Sequence, residues 1–236
     1  MSQKNSYGIK EVADTWFFPV GSKISFSTTG KEAKFTSVEI PTISGTSLVY
    51  ETYSGTYAAT VPGVFVFDSL KVSNIEVASE ETSAKGGKGN PELISWSYGK
   101  AITFTMTDAL FNMQTLDLMF GATQDVVNGN SGLGTDHGIT IDSNTFPDAY
   151  AIVGATYMRS YLNGEDEPFL FYIPKAKVNV GGTLTMEAEG DPTTFEMTIK
   201  ALSAEINDES DVLIKFYKPN DTAAASGAIG SLSINE

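Results

Sequence analysis

The sequence predicts a mainly β protein, a β-sandwich or barrel with one short buried α-helix and long extended loops or a hairpin. Three observations support this class. Short runs of alternating or β-branched apolar residues recur along the chain, clusters of Gly, Asn, Asp and Pro separate them, and a single apolar segment has helical character. The 236 residues fit one domain, because β-sandwiches and barrels of roughly 200–250 residues commonly form a single unit.

Strand-like runs dominate the chain beyond residue 60. In the clearest of them, Phe195, Met197 and Ile199 alternate with polar residues. This period of two is typical of a strand in a sheet with one buried face. The loop 162–168, which contains Gly164, is expected to join two strands as a hairpin. The predicted strands are 64–77, 93–96, 101–106, 149–160, 169–180, 183–188, 194–204 and 212–217.

One segment, 107–121, predicts the principal helix. Thr107 or Asp108 is a suitable N-cap, and Gly121 is a suitable stop, because glycine adopts the left-handed conformation that ends many helices. Apolar residues leave little of the surface of this helix polar. We therefore expect it to be buried against the sheet.

Several stretches are expected to extend from this domain. Residues 1–60 contain strand-like pieces at 23–26 and 47–50 and predict a possible extended N-terminal hairpin or arm. Polar segments at 79–90, 123–136 and 220–230 predict mobile loops, and residues 221–236 a flexible C-terminal arm. Loops longer than about 12 residues are uncommon unless they bind a partner or order on assembly, with plain surface disorder as the alternative.

The charge of the chain argues against a nucleic-acid-binding protein. Fifteen Lys and Arg stand against 29 Asp and Glu, a formal net charge of −14, and Arg159 is the single arginine. Proteins that hold nucleic acid use clustered cations, so this surface should repel phosphates and anionic membranes. The sequence has no apolar run of about 18 residues and no signal-peptide core at its start. We expect folding in a cytoplasm.

The search for chemical sites gives no candidate. The chain has no cysteine, and its one histidine, His137, is not accompanied by a Gly-x-Ser-x-Gly nucleophile motif. The glycine-rich segment 86–89 lacks the spacing of a phosphate loop, and the acidic groups at 165–167 and 208–211 lack that of a calcium loop. We therefore predict no catalytic, cofactor-binding or metal-binding residue. Paired carboxylates of a hydrolase, which are close only in space, stay an alternative.

Three segments of the chain resemble the middle and later parts of bacteriophage tail tube, or major tail, proteins. The first is GKGNPELISWSYGK (87–100) with the strand and apolar helix that follow it up to residue 121. The others are FYIPKAKV (171–178) and MEAEGDPTTFEM (186–197). Together they cover roughly half of the chain, from about residue 85 to 205.

The resemblance implies a non-enzymatic structural subunit. It implies self-assembly into stacked hexameric rings that form the conduit for genome delivery, with arms that bridge neighbouring subunits. The expected partners are other copies of the chain and other tail proteins such as terminator, sheath or baseplate and tip components. DNA would pass through the lumen without specific binding, and no membrane is involved. The expected location is the virion tail, assembled in the host cytoplasm.

We predict an inter-subunit interface on the loop around Lys85, Lys88 and Asn90, because such a loop can order against a neighbour. Trp96 and Tyr98 are added, because aromatic residues on a strand are usually core or interface residues.

Two other functions stay open. One is a different virion component, such as a capsid decoration or a fibre-like module. The other is a carbohydrate-binding β-sandwich that uses Trp96, Tyr98 or the tyrosines Tyr50, Tyr53 and Tyr57. The assembly state separates these alternatives, since rings or tubes are expected for the first prediction and a glycan-binding monomer for the last.

Overall fold

A computed structural model describes residues 6–9, 13–29, 32–44, 47–54, 61, 63–109, 113–121, 123–127, 136–162, 164–179, 194–206, 209–218 and 230–234. Within these ranges the chain forms 17 strands and one helix, which confirms the mainly β class with a short helix. The elements are β1 (Tyr7–Ile9), β2 (Asp14–Pro19), β3 (Lys23–Thr29), β4 (Glu32–Ser44), β5 (Ser47–Ser54), β6 (Phe65–Phe67), β7 (Leu70–Lys85), β8 (Glu92–Asp108), α1 (Met113–Phe120), β9 (Thr123–Val127), β10 (Asp136–Thr140), β11 (Ala149–Ser160), β12 (Asp166–Val178), β13 (Phe195–Ala201), β14 (Ala204–Ile206), β15 (Glu209–Val212), β16 (Lys215–Tyr217) and β17 (Gly230–Ile234).

The strands form one large antiparallel sheet and a smaller one that packs on it. The large sheet has the order β6-β2-β11-β12-β13-β8-β7, with β1 added beside β11 and β16 beside β12. The smaller sheet has the order β17-β3-β4-β5. Two short hairpins, β9–β10 and β14–β15, complete the described strands.

The central strands β2, β11 and β12 are buried on both faces. Neighbouring residues of each strand point into different cores, as Phe17 and Phe18 do in β2 and Phe171 and Tyr172 do in β12. One face packs on β8, β13 and α1 in a cluster that we call the helix-side core. The other face packs on β3 and β4 in the second-sheet core. Burial on both faces explains the continuous apolar runs within these strands, at 16–19 in β2, 149–155 in β11 and 168–174 in β12.

Helix α1 closes one side of the helix-side core, in which Leu118 and Met119 are buried. It ends at Gly121, as predicted, where φ is 64° and the amide N–H donates to the carbonyl of Asp117 at 2.8 Å. A Cβ at Gly121 would lie 2.5 Å from the backbone carbonyl carbon of Phe146. Glycine is therefore required here both by the backbone conformation and by the close approach of the loop before β11.

The predicted start of the helix is wrong. Thr107 and Asp108 are the last residues of β8, not helix caps. Asp108 is buried, and its carboxylate accepts a hydrogen bond of 2.5 Å from the Ser69 hydroxyl. This contact fixes the end of β8 to the loop before β7. The predicted helical residues 110–112 lie outside the described residues.

The predicted strands are largely confirmed in the second half of the chain. Strand β11 has the predicted bounds, and the alternation in β13 buries Phe195, Met197 and Ile199. The turn after β11 joins it to β12, as the hairpin prediction requires. Strand β12 begins earlier than predicted, because Asp166 pairs with Arg159 across the hairpin and accepts two hydrogen bonds from its guanidinium, at 2.6 and 3.0 Å. The predicted strand 183–188 lies outside the described residues.

A bulge divides β12 into two parts. Odd-numbered residues face the helix-side core in the first part, and even-numbered residues face it in the second. Tyr150 pairs with Ala176 and Ile152 with Ile173, so β12 has one extra residue between these pairs. Pro174 lies in this irregular stretch, where a residue without an N–H donor is tolerated. Phe171 and Ile173 face the helix-side core before the bulge, and Ala176 and Val178 face it afterwards.

The first and last described strands belong to different sheets. Strands β4 and β5 form a hairpin within the region predicted to be an N-terminal hairpin or arm, whereas β1 and β2 belong to the large sheet. The segment predicted to be a C-terminal arm, 221–236, contains β17, which pairs with β3. Residues 221–229 lie outside the described residues, as do residues 128–135 of the predicted mobile loop between β9 and β10.

Gly154 makes room for a buried aromatic ring. It lies opposite Phe171 in the β11–β12 pair, and a Cβ at Gly154 would lie 2.1 Å from Cε1 of that ring. Phe171 is buried and packs against Phe104 with ring centroids 5.3 Å apart. An added carbon at Gly154 would therefore have to displace a buried ring that packs against Phe104.

We predict that Gly154→Ala destabilises the fold by about 1–3 kcal/mol, the usual cost of forcing an extra carbon into a packed core. Urea unfolding followed by far-UV circular dichroism measures this loss. Gly8→Ala is the matched control, because Gly8 is an exposed glycine in β1 with no atom within 4 Å of an added Cβ. Equal stability of the two variants would contradict the close packing at Gly154.

Two carboxyl groups of like charge lie near each other beside α1. The pKa of Asp117 is raised above its ordinary value, first by partial burial and then by the charge of Asp148. Burial is also the largest cause of the shift at Tyr150, and together with the charges of Asp117 and Asp148 it raises the pKa of Tyr150 to about 12. A carboxyl group whose pKa is raised by folding destabilises the folded state while it is charged, and protonation removes this effect.

We predict that Asp117→Asn raises stability at pH 7 by less than about 1 kcal/mol, since water screens a partly exposed pair. The gain should shrink as the pH falls through the raised folded-state pKa and should disappear below 3.8, because only there is the wild-type carboxyl group neutral in both states. Urea unfolding at pH 7 and pH 4 tests this. Asp68→Asn, at an exposed aspartate, removes the same charge and should change stability little. An equal gain for both variants would show only a general effect of net charge.

Candidate assembly surface

The hairpin of β7 and β8 extends beyond the sheet that contains it. Strand β13 pairs with β8 only over residues 103–108, and the hairpin continues past this region to a turn at 86–91. We call residues 78–101 the arm. From Glu76 to Lys100, a stretch that the structure describes completely, no residue is buried. With a rise of about 3.4 Å per residue, the eight residues 78–85 carry the arm roughly 25 Å from the body.

The turn at the tip is built from residues in the left-handed conformation. Gly87, Gly89 and Asn90 have φ angles of 86°, 90° and 51°. The amide N–H of Asn90 donates to the carbonyl of Gly87 and that of Gly86 to the carbonyl of Pro91, both at 3.1 Å. Glycine and asparagine tolerate this backbone conformation, which reverses the chain tightly.

The expectation of a long loop over residues 79–90 is therefore wrong. Strand β7 continues to Lys85 and pairs with β8 along its whole length. Residues 79–85 are mostly polar because both faces of the arm are in contact with water, and not because they leave the sheet. Composition alone does not distinguish such a two-stranded arm from a loop.

A bulge at the base of the arm changes which residues share a face. Ala78 pairs with Ala101, but Glu80 pairs with Tyr98, so β8 has one extra residue at Gly99–Lys100. Gly99 has a φ of 63°, which is typical of the glycine in such a bulge. Even-numbered residues of β8 face the helix-side core below the bulge. Between the bulge and the tip turn, the even-numbered residues of β8 lie on the face of the hairpin opposite to that of the helix-side core.

This change of face creates an exposed apolar stripe. Ile94, Trp96 and Tyr98, which we call the apolar stripe, share one face of the arm and are 52–54% exposed. The other face contains Ser95 and Ser97, and the Ser97 hydroxyl donates to Glu81 at 3.3 Å. Leu93, which is 64% exposed, lies outside the stripe at the irregularity next to the tip turn. An exposed row of large apolar side chains on a protruding element is typical of a surface that another molecule covers.

The five residues predicted as interface residues all lie on the arm. Lys85, Lys88 and Asn90 are exposed at or next to the tip turn, whereas Trp96 and Tyr98 belong to the apolar stripe. The two groups are neighbours along the same hairpin but do not form a single cluster. The two lysines make no ion pair with any residue of the described chain.

Sequence reasoning missed Ile94 as the third member of the stripe. The signal was present in the alternation Ile94-Ser95-Trp96-Ser97-Tyr98. An alternating strand is normally interpreted as half-buried in its own domain, and in this case the apolar side is exposed.

A second exposed apolar surface lies on the β4–β5 hairpin. The outer face of this hairpin carries Ile43, which is 81% exposed, with Leu48 and Tyr50. We call these three residues the β4–β5 patch. The ammonium group of Lys23 lies 4.0 Å from the centre of the Tyr50 ring and pairs with Glu39 at 3.3 Å. The patch therefore has an apolar end at the hairpin tip and a charged end near the body.

The remaining tyrosines proposed for glycan binding do not join one site. Tyr53 donates to Glu51 at 2.7 Å, and this hydrogen bond is the main cause of its raised pKa. Tyr57 lies outside the described residues. Trp96 and Tyr98 are on the arm, whereas Tyr50 and Tyr53 are on β5.

Several acidic residues considered for metal binding contact cations in the described part of the chain. Within the described part of the chain, no three His, Asp or Glu side chains are grouped so that they could hold a metal ion. The backbone of His137 pairs with Val126 in the β9–β10 hairpin. Asp166 and Glu167, which belong to the acidic turn considered for calcium, contact the cations Arg159 and Lys218. Among the described helical residues, none forms a helix long and apolar enough to span a membrane.

Comparison with known proteins assigns a family to the chain. No curated protein matches the sequence. A family model, that of the YomU/Tube protein family, matches residues 56–131 and 135–216, about two thirds of the chain. These ranges contain the arm, α1, the central strands β11 and β12, and the segments that resemble tail tube proteins. The chain therefore belongs to the YomU/Tube protein family, a phage-derived family of tube-like structural proteins.

Proposed function

We propose that this protein is the subunit of a phage tail tube, which assembles without catalysis into stacked hexameric rings that enclose the path of the genome. The observation that carries the proposal is the arm, because it projects an apolar stripe into solvent at a distance from the body of its own subunit. Family membership adds the tube-like character. The subunit would be located in the virion tail, after assembly in the host cytoplasm.

The arm is suited to bridging between copies of the chain. Two paired strands hold its backbone, and the tip turn is fixed by two backbone hydrogen bonds. A preorganised element loses less conformational entropy on binding than a loop that has to order. Trp96 and Tyr98 supply large contact areas with few rotatable bonds, which is typical of the residues that dominate binding energy.

The net charge opposes this association but suits the proposed lumen. Each copy carries a formal charge of −14, so copies repel one another at low ionic strength. The exposed lysines of the arm tip, Lys85 and Lys88, reduce this repulsion where the arm meets an acidic neighbour. Carboxylates that face the lumen would repel DNA phosphates and allow the genome to pass without binding.

We predict that removal of the stripe aromatics impairs assembly without unfolding the subunit. The double variant Trp96→Ser and Tyr98→Ser should raise the protein concentration needed for rings or tubes by about tenfold or more, since loss of one interface aromatic commonly costs 1 kcal/mol or more. Sedimentation and negative-stain electron microscopy over a concentration series measure this threshold. Far-UV circular dichroism checks that the fold is retained.

The matched control changes the other face of the same strand. Ser95→Thr and Ser97→Thr keep the hydroxyl groups and the strand propensity of β8, so they should leave the assembly threshold unchanged. If the stripe variant assembles as well as this control does, the arm is not the bridging element.

We also predict that wild-type assembly increases with salt. Raising the ionic strength from 0.01 M to 1 M shortens the Debye length from about 30 Å to about 3 Å and screens the repulsion between acidic copies. Electron microscopy of the wild-type protein at both ionic strengths tests this, and hollow sixfold rings or tubes are expected. Particles that stay monomeric under all conditions and bind to a glycan array would favour the carbohydrate-binding alternative instead.

A further inference from the structure

We infer that the apolar stripe of the arm docks on the β4–β5 patch of a neighbouring copy of this chain. This inference rests on the proposed function and names the receiving surface. The two surfaces are the outward-facing apolar faces of two hairpins in different sheets. Within one copy neither covers the other, because Trp96 is 52% exposed and Ile43 is 81% exposed.

The two surfaces match in length. Ile94 and Tyr98 are four residues apart in β8, and Glu39 and Ile43 are four residues apart in β4, which is about 14 Å in each strand. Each surface is two strands wide, because Ile94 pairs with Ala84 on the arm and Ile43 pairs with Leu48 on the patch. Two flat faces of this kind can pack in the same way as the sheets of a sandwich do.

Charge favours one orientation of the contact. Lys85 and Lys88 lie just beyond the Ile94 end of the stripe, and the body end of the patch carries the Glu39 carboxylate, whose side chain is 42% exposed and pairs with Lys23 at 3.3 Å. The lysines of the arm tip can add to this ion pair when Ile94 lies over the Glu39 end of the patch and Tyr98 over the Ile43 end. In the reverse orientation the lysines would project past the tip of the β4–β5 hairpin.

The area of the contact fits an assembly better than an isolated dimer. A fully buried aromatic side chain covers roughly 150–250 Å², so the exposed halves of Trp96 and Tyr98 with Ile94 offer roughly 250–350 Å². A stable pair of proteins usually buries about 800 Å² per partner. One contact is thus too small alone, but each copy offers both an arm and a patch.

The contact is head-to-tail, because the arm of one copy leaves its own patch free for the next copy. Such heterologous contacts continue from subunit to subunit until they close into a ring or extend as a filament. The same pair of surfaces can therefore account for growth beyond a dimer.

Crosslinking between single-cysteine variants tests this inference, because the natural chain has no cysteine. Ala84 lies on the stripe face of the arm, and Thr52 pairs with Glu39 on the outer face of the β4–β5 hairpin. Ala84→Cys and Thr52→Cys proteins are mixed and assembled at the lowest salt concentration that gives rings or tubes, so that the charges at the arm tip and at Glu39 are not fully screened. They are then treated with a short bis-maleimide. Mass spectrometry of the digested product identifies the linked peptides.

The expected result is a linked peptide pair of the two variants, more abundant by about tenfold or more than the pair from the control Ser83→Cys with Thr52→Cys. Ser83 is adjacent to Ala84 and equally half-buried, but it faces the serine side of the arm. Equal yields from both arm positions, or no Ala84–Thr52 link in tubes visible by electron microscopy, would overturn the inference and leave the proposed function intact. Wild-type protein that never forms rings or tubes would overturn both.

Discussion

The burial of three adjacent strands on both faces is the constraint on which the rest of this fold depends. Strands β2, β11 and β12 carry large side chains in both directions, so neither face of this central sheet can meet water. The chain covers one face with β8, β13 and α1 and the other with β3 and β4. Details such as the missing Cβ at Gly154 and the glycine stop of α1 follow from the need to close these two layers tightly.

Exposed apolar residues also occur on the body, for example Phe146 and Phe216, but the two hairpins carry them in groups on one face. Ile94, Trp96 and Tyr98 on the arm and Ile43 and Leu48 on the patch remain exposed after the cores are complete. Because the copies carry like charge, contact between such surfaces has to overcome electrostatic repulsion, and high salt or a high local concentration shifts the balance. Under the proposed function, subunits of this charge would stay apart at low salt and associate once the charge is screened.

Sequence reasoning predicted the fold class, the bounds of β11, the buried face of β13 and the end of α1, because each depends on a local pattern. It failed where tertiary contacts decide. Asp108 is a suitable helix cap by type but is held at the end of β8 by Ser69, and the polar strand before the arm tip has the composition of a loop. The sequence indicates only part of the stripe, since Trp96 and Tyr98 stand out as aromatic residues on a strand and Ile94 does not. The bulges at Pro174 and Gly99 change the parity of their strands, which a period-two pattern does not show.

The pairing with β7 determines which side of the arm carries the apolar stripe. Removing the extra residue at Gly99–Lys100 would leave Tyr98 opposite Glu80 and the stripe on its present face, whereas removing one residue from each strand of the arm would turn the stripe to the other side. Extending the hairpin by two residues in each strand would lengthen its reach and preserve the exposed face. Related chains with arms of different length should therefore differ by even numbers of residues on β7, while the bulge on β8 can be gained or lost.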